Sequence, residues 1–114
     1  MVEVLHSKIH RAVLTGADLN YEGSISISRD LIKQANLKPY QKVLVADLEN
    51  GNRFETYVIV AEEPNTFCVN GSAARLVHPG DKVIIMAFKL VDEIPDGYEP
   101  TVLLMNEKNE VYNG

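Results

Sequence analysis

The chain has 114 residues, enough for one domain with a hydrophobic core. Its 11 Lys and Arg residues against 16 Asp and Glu residues give a net charge of -5, which disfavours nucleic-acid binding because that needs clustered basic charge. No apolar run is long enough to cross a membrane, the first eleven residues do not read as a signal peptide, and the single cysteine, Cys68, cannot form an internal disulfide. These features fit a cytoplasmic protein.

Runs of β-branched and apolar residues separated by Gly and Pro turn signals predict seven strands. In chain order they cover residues 11–15, 24–27, 42–48, 54–61, 66–69, 82–90 and 101–105. One helix is predicted after Ser28, whose hydroxyl would cap it, and Pro39 would stop it. Many short, regularly spaced strands favour a small closed β-barrel. The polar tail, residues 106–114, is expected to fray.

The pair Gly23-Ser24 has a chemical capacity beyond its local structure. A turn glycine followed by the first residue of a strand is the commoner role for such a pair. The Ser24 hydroxyl can, however, attack the carbonyl carbon of Gly23, which no Cβ shields. The attack converts the peptide bond into an ester. Elimination and hydration then leave a pyruvoyl group and release ammonia.

Four motifs follow one another in a fixed order. They are K-x-H-R from Lys8, A-D-L-x-Y-E-G-S ending at Ser24, N-G-x-R-F-x-T-Y ending at Tyr57, and V-N-G-x-A-A from Val69. Their order and spacing resemble the pyruvoyl-dependent aspartate 1-decarboxylases, and the resemblance runs from about residue 8 to about residue 88. Each motif alone is weak, but the conjunction is highly specific.

The resemblance implies a mainly β fold, a small double-psi β-barrel with one or two short helices. It implies one domain, 1–114, cut between Gly23 and Ser24 into a β subunit of residues 1–23 and an α subunit of residues 24–114. The protein would assemble as a homotetramer with active sites between subunits. It would decarboxylate L-aspartate to β-alanine and carbon dioxide for pantothenate biosynthesis. The need for a maturation partner stays open.

The resemblance also assigns roles to individual residues. Ser24 would become a covalent pyruvoyl cofactor, so that neither pyridoxal phosphate (PLP) nor a metal is expected. Gly23, Ser24 and Thr56 would take part in processing, and Ser24 and Tyr57 in catalysis. The substrate site would be lined by Lys8, Arg53, Asn70, Gly71, Ser72 and Ala73. Ser72 stands where the family often carries alanine, which leaves a backbone-amide role open.

The chemistry of aspartate fits these side chains. Its amine would condense with the pyruvoyl ketone, and the resulting imine is the electron sink that a cofactor usually supplies. Arg53 offers a bidentate fork and Lys8 a point charge to the two carboxylates, although a solvated surface charge is the commoner role of each. Pairing with the departing carboxylate stabilises the ground state, so the stronger clamp is expected on the retained one. The sequence leaves open which cation supplies it.

Tyr57 is expected to donate the proton that replaces carbon dioxide, although structural tyrosines are common in sheets. Thr56 and Tyr57 are adjacent, so in a strand they point to opposite faces. Both can serve only if the strand is twisted or the pyruvoyl group lies near its edge. His10 shares a face with Lys8 in a strand, and a structural role is the commoner one for such a histidine.

Three other interpretations remain. A binding module on the same barrel would have no reason to combine Gly23-Ser24 with Arg53, Thr56 and Tyr57. A DNA-binding β protein would carry a basic stripe, which this sequence lacks. A relative that accepts glutamate is separated by one methylene, worth only about 1–3 kcal/mol of discrimination. The three His and one Cys show no recognised zinc spacing.

Overall fold

The computed structural model describes residues 1–113, which form eight strands and two short helical segments. The helix α1 spans Arg29–Gln34, and a 3-10 helix spans Gly71–Leu76. The strands are β1 (Val2–Val13), β2 (Gly16–Asp18), β3 (Ser24–Ser28), β4 (Lys42–Asp47), β5 (Arg53–Ala61), β6 (Phe67–Asn70), β7 (Lys82–Val91) and β8 (Thr101–Leu104). The prediction of a mainly β fold with one or two short helices is confirmed.

The strands form one mixed sheet in the order β2-β6-β3-β5-β4-β7-β1-β8. β3 runs parallel to β5 and antiparallel to β6, while β1 runs antiparallel to β7 and parallel to β8. Alternate side chains point inward, as the period of a strand requires. The inward set makes a fully buried core that includes Ile9, Ile25, Ile27, Val43, Val45, Val58, Phe67, Val69, Val83 and Ile85.

The first strand is the largest departure from the predicted elements. We expected a strand over residues 11–15, but β1 begins at Val2 and ends at Val13. Its first half mixes charged and apolar residues and is buried only at Ser7, so it lacks the apolar run that marks a buried strand. Arg11 has φ 68 and lies where the β1–β7 register shifts, so it occupies a bulge. The short β2 was not predicted because Gly-Ala-Asp has little β propensity.

The helix α1 follows Ser28 as predicted, but the expected side-chain cap is wrong. The Ser28 hydroxyl donates to the Glu63 carbonyl oxygen at 2.7 Å and accepts the Thr66 backbone N–H at 2.7 Å. The hydroxyl therefore bonds partly buried backbone groups of the turn before β6 and does not cap the helix. No helix within residues 1–113 is long and apolar enough to span a membrane.

The C-terminal tail is ordered through residue 113, so the expectation of fraying is wrong for the part of the tail that the structure describes. Asn109 is buried, accepts the Val13 N–H at 2.8 Å and donates to the Val13 carbonyl oxygen at 2.8 Å. Asn113 likewise bonds the backbone of β8 through Leu104 and Val102. In this tail, asparagine side chains bond strand backbone groups that a neighbouring strand would otherwise pair with. The composition of the tail alone does not reveal these bonds. Gly114 lies outside the described residues.

Candidate active site

Ser24 begins β3 and is buried, with 1% of its surface exposed. Its Oγ donates to the Glu22 carbonyl oxygen at 2.9 Å and accepts an N–H from Asn70 Nδ2 at 2.9 Å. The antiparallel pairing of β3 with β6 sets Ser24 directly opposite Asn70, which is itself buried. The hydroxyl is therefore held against the backbone segment that contains the Gly23-Ser24 peptide bond.

Gly71 packs against the backbone of Gly23. A Cβ at Gly71 would lie 2.6 Å from Gly23 Cα and 2.8 Å from Gly23 N, and the φ of Gly71 is +79°. Both the contact and the conformation exclude any other residue at position 71 without a shift. Gly23 itself has open space where a Cβ would lie and no left-handed φ. Packing within the chain therefore does not require a glycine at position 23. The absence of a side chain leaves the Gly23 carbonyl carbon open to attack.

Ser24 borders a cleft of about 340 Å³, a size that suits a small ligand. The other lining residues are Tyr21, Glu22, Pro39, Tyr40, Tyr57, Ile59 and Val60. The rings of Tyr40 and Tyr57 stack with centroids 6.3 Å apart. Tyr40 was not predicted as a site residue, because in the sequence it only follows the proline that ends the helix. The cleft thus brings together Ser24 and Tyr57, two of the residues singled out from the motifs.

Strand pairing decides which predicted residues share the face of Tyr57. Ile25 pairs with Val58, so Ser24 and Tyr57, one position earlier on each parallel strand, lie side by side on the outward face. Thr56 pairs with the buried Val43, so it points to the opposite face. Thr56 is not among the residues that line the cleft.

Lys8 and Arg53 lie on the outward face but not in the cleft. Arg53 is exposed and lies four residues before Tyr57 on β5, roughly 13 Å along the strand. Lys8 pairs with Met86 on β7, and two strands, β7 and β4, separate β1 from β5. Among residues 1–113, neither cation has a carboxylate within 4 Å. One chain therefore does not bring these two cations to its own Ser24.

The remaining predicted residues follow β6. Asn70 ends that strand, and Gly71, Ser72 and Ala73 form the first turn of the 3-10 helix. Ser72 is exposed, and Ala73 packs partly against the core. Asn70 also donates to Ser26 Oγ at 3.0 Å, a contact that the motifs did not indicate.

His10 lies beside Lys8 on β1 without a partner for its buried Nδ1 atom within the described residues. Burial lowers the pKa of His10, and the positive charges of Lys8 and Arg11 lower it further. The imidazole is therefore neutral at pH 7. His10 does not line the cleft of its own chain.

The fold is that of a small double-psi β-barrel. A computationally designed protein of this class superposes with a TM-score of 0.50, covering 75% of this chain and 99% of the designed chain at 18% identity. At that identity the likeness concerns the fold alone, and it confirms the predicted architecture.

The family follows from the sequence comparisons. The model of the family described as aspartate decarboxylase matches residues 1–112. An aspartate 1-decarboxylase of Clostridium botulinum (strain 657 / Type Ba4) is 48% identical over 112 residues, covering 96% of this chain and 88% of the relative. One from Leptospira biflexa is also 48% identical, covering 96% and 95%. The chain belongs to the aspartate decarboxylase family and is a decarboxylase, as the four motifs predicted.

Proposed function

We propose that the chain is a proenzyme that cuts itself between Gly23 and Ser24 and then decarboxylates L-aspartate to β-alanine and carbon dioxide. The observation that carries this proposal is the buried Ser24 hydroxyl, which donates to the carbonyl oxygen of Glu22, the residue just before Gly23, and borders the cleft that contains Tyr57. Residues 1–23 and 24–114 would become the β and α subunits of one domain, Gly114 lying outside the described residues.

The self-cleavage would take three steps. Ser24 Oγ bonds to the Gly23 carbonyl carbon as the bond from that carbon to Ser24 N breaks, which gives an ester and a free amine. Loss of the Ser24 Cα proton then breaks the Cβ–Oγ bond, and Oγ departs within the Gly23 carboxylate. Water replaces the nitrogen of the remaining dehydroalanine, which releases ammonia and leaves the pyruvoyl group.

The groups around Ser24 suit these steps. The Asn70 N–H points at Oγ, the atom on which negative charge develops when the carboxylate leaves. The proposed part of Thr56 is to donate a hydrogen bond to the Gly23 carbonyl oxygen during the attack. Because Thr56 faces away from the cleft of its own chain, that part requires a twisted strand or a Thr56 hydroxyl from a neighbouring subunit.

In the mature enzyme the pyruvoyl group would supply the electron sink for decarboxylation, with no PLP and no metal. Tyr57, in the cleft beside position 24, would deliver a proton to the carbon that loses carbon dioxide. Arg53 and Lys8 would hold the two carboxylates. Asn70 and the backbone of Gly71, Ser72 and Ala73 would orient the substrate.

The positions of the cations favour a homotetramer with active sites between subunits. Lys8 and Arg53 are free of carboxylate partners within the described residues and face outward, so they are available to the cleft of a neighbouring chain. The same outward surface exposes Phe88 and Leu90, with 42% and 62% of their surfaces accessible. Burial of such side chains favours association. Light scattering that reports a stable, active monomer would contradict this assembly.

Co-assembly of two inactive variants tests the shared site. Ser24→Ala and Arg53→Ala subunits, mixed before assembly, should regain part of the activity because an intact Arg53 would reach a neighbour's processed Ser24. Ser24→Ala with Tyr57→Phe is the matched control, since both residues border one cleft, and this pair should stay inactive. Equal recovery in both mixtures would refute the shared arrangement.

Intact mass spectrometry tests the proposal as a whole. After incubation the purified protein should give two fragments, the larger lighter by one ammonia than the serine-terminated peptide, while Ser24→Ala stays whole. An uncut chain with no hydrazine-reactive carbonyl would remove the pyruvoyl mechanism. Higher kcat/KM for L-glutamate than for L-aspartate would overturn the substrate but spare the mechanism.

The proposed product indicates the metabolic role of the reaction. β-Alanine would feed pantothenate synthesis in the cytoplasm, and expression of this chain should let a β-alanine auxotroph grow without supplement. Growth that depends on a second gene from the same source would reveal a maturation partner. Added PLP should leave the activity unchanged.

A further inference from the structure

Four side chains next to the proposed cleavage site form one hydrogen-bonded group. Ser24 pairs with Asn70 across β3 and β6, and Ser26 pairs with Cys68 two positions further on, so all four side chains share a face. Asn70 Nδ2 donates to Ser24 Oγ at 2.9 Å and to Ser26 Oγ at 3.0 Å. Cys68 Sγ lies 3.4 Å from Asn70 Oδ1 and can donate its thiol hydrogen.

This group fixes the orientation of the Asn70 amide. Ser24 Oγ gives its only hydrogen to the Glu22 carbonyl oxygen, so the group facing Oγ from Asn70 has to be a donor. Burial raises the pKa of the Cys68 thiol, and the nearby charge of Asp18 raises it further. The sulfur therefore keeps its hydrogen at neutral pH and meets the amide oxygen. A rotated amide would place its oxygen against Ser24 Oγ, whose hydrogen is already donated, and its N–H against the thiol, so the contacts with Ser24 and Cys68 would be lost.

The space for this arrangement comes from a neighbouring strand. A Cβ at Gly16 would lie 3.3 Å from Cys68 Sγ, which is tight contact, so the glycine leaves room for the thiol. Neither Ser26 nor Cys68 lines the cleft, and the hydrogen bonds of both side chains go to Asn70. Their hydrogen-bonded connection to Ser24 Oγ therefore runs through Asn70.

We propose that Ser26 and Cys68 are positioning residues for the self-cleavage: they hold the Asn70 amide so that one N–H stays on Ser24 Oγ. This inference rests on the proposed self-cleavage. With Ser26 or Cys68 truncated, the amide gains a second orientation, and Oγ loses its donor for part of the time. Negative charge develops on Oγ when it departs with Gly23, so loss of the donor should slow that step and with it the appearance of the two fragments.

The test is a double-mutant cycle on the rate at which the full-length precursor gives two fragments by intact mass. Ser26→Ala should slow cleavage roughly tenfold, the worth of one neutral hydrogen bond. In an Asn70→Ala background the same change should alter the rate less than about twofold, because its effect is transmitted through the amide. An equal slowing in both backgrounds, or none in the native one, would overturn the inference.

A conservative pair gives a second, independent measure. Cys68→Ala should slow cleavage, and Cys68→Ser, which restores a donor, should recover most of the rate. If Asn70→Ala abolishes cleavage altogether, this comparison decides, and equal rates for the two Cys68 variants would sink the proposal. Failure of the unaltered protein to cleave would instead refute the proposed function.

Ser28→Ala serves as the structural control. It is the same substitution on the same strand and face, but the Ser28 hydroxyl bonds the turn at Glu63 and Thr66, not Asn70. It should lower the melting temperature while leaving the cleavage rate within about twofold, well below that temperature. A Ser28→Ala variant that slows cleavage as much as Ser26→Ala would show that general loosening, not the amide, sets the rate.

Discussion

Replacing Gly71 by alanine tests whether the contact between Gly71 and Gly23 holds the bond that is cut. The added Cβ would lie 2.6 Å from Gly23 Cα, and ordinary contact begins near 3.4 Å, so the Gly23 backbone has to move by about 0.8 Å. The conformation adds a second cost, because alanine at φ +79° loses about 1–2 kcal/mol relative to its usual regions. Displacing a reacting group by about 1 Å can slow a reaction 10²-fold.

Gly97→Ala separates the two costs. Gly97 has φ +77°, almost the same as Gly71, but a Cβ there would meet nothing within 4 Å. Both variants should therefore lose the conformational term, and only Gly71→Ala should lose the contact with Gly23. Stability is measured by denaturant unfolding in a Ser24→Ala background, so that cleavage does not complicate the comparison. There, Gly71→Ala should be the less stable of the two.

The decisive assay is the rate of self-cleavage, followed by intact mass. Gly97→Ala should cut within about twofold of the unaltered protein, and Gly71→Ala roughly 10² more slowly. Circular dichroism checks that both variants keep the β fold. Equal cleavage rates for the two would mean that the Gly23 backbone tolerates the shift, and that the close packing at Gly71 serves stability alone.

Three further predictions follow from the described contacts. Tyr57→Phe should still cleave itself, but it should turn over substrate roughly 10²–10⁴ more slowly because it lacks the proton donor. Thr56→Val should cleave slowly, with an activity proportional to the fraction of chains that are cut. A Tyr57→Phe enzyme that turns over at the normal rate would make Tyr57 a packing residue. Asn109→Ala leaves the backbone N–H and carbonyl of Val13, at the end of β1, without their Asn109 partners. The free energy of unfolding, measured with denaturant, should fall by about 1–3 kcal/mol. An unchanged midpoint would refute the anchoring role of Asn109. Burial and the neighbouring Asp81 carboxyl raise the pKa of Asp47 to about 6 from 3.8, so the folded state binds more protons and stability should fall as pH rises from about 4 to 6. The neighbouring Asp47 carboxyl lowers the pKa of Asp81, whose contribution is lost only below about pH 3.8, outside that window. Asp47→Asn should flatten the fall, and an identical pH profile would contradict the assignment.

The sequence by itself determined the family, the kind of chemistry and most of the strands. Gly23-Ser24 and the motif around Tyr57 are local sequence signals, and their order along the chain does not depend on how the strands pair. Strands such as β4 and β7 were predicted to within one residue at each end, because buried apolar residues mark them directly. Residues 2–10 failed that test because only Ser7 and Ile9 are buried among them, so no run of buried apolar residues marks this part of β1.

Only the tertiary structure decided which of these residues meet. Ser24 lies opposite Asn70, 46 positions away, because β3 and β6 pair in one register, and a shift of one residue would turn Asn70 into the core. The same pairing puts Gly71 on the backbone of Gly23, and the strand order, with β4 and β7 between β5 and β1, leaves Lys8 beyond reach of its own chain's cleft. A period of two residues tells which face a side chain occupies, but not which strand lies beside it. Long-range packing determines which strand lies beside which, because a contact between distant segments stabilises the fold only when the sheet that joins them forms.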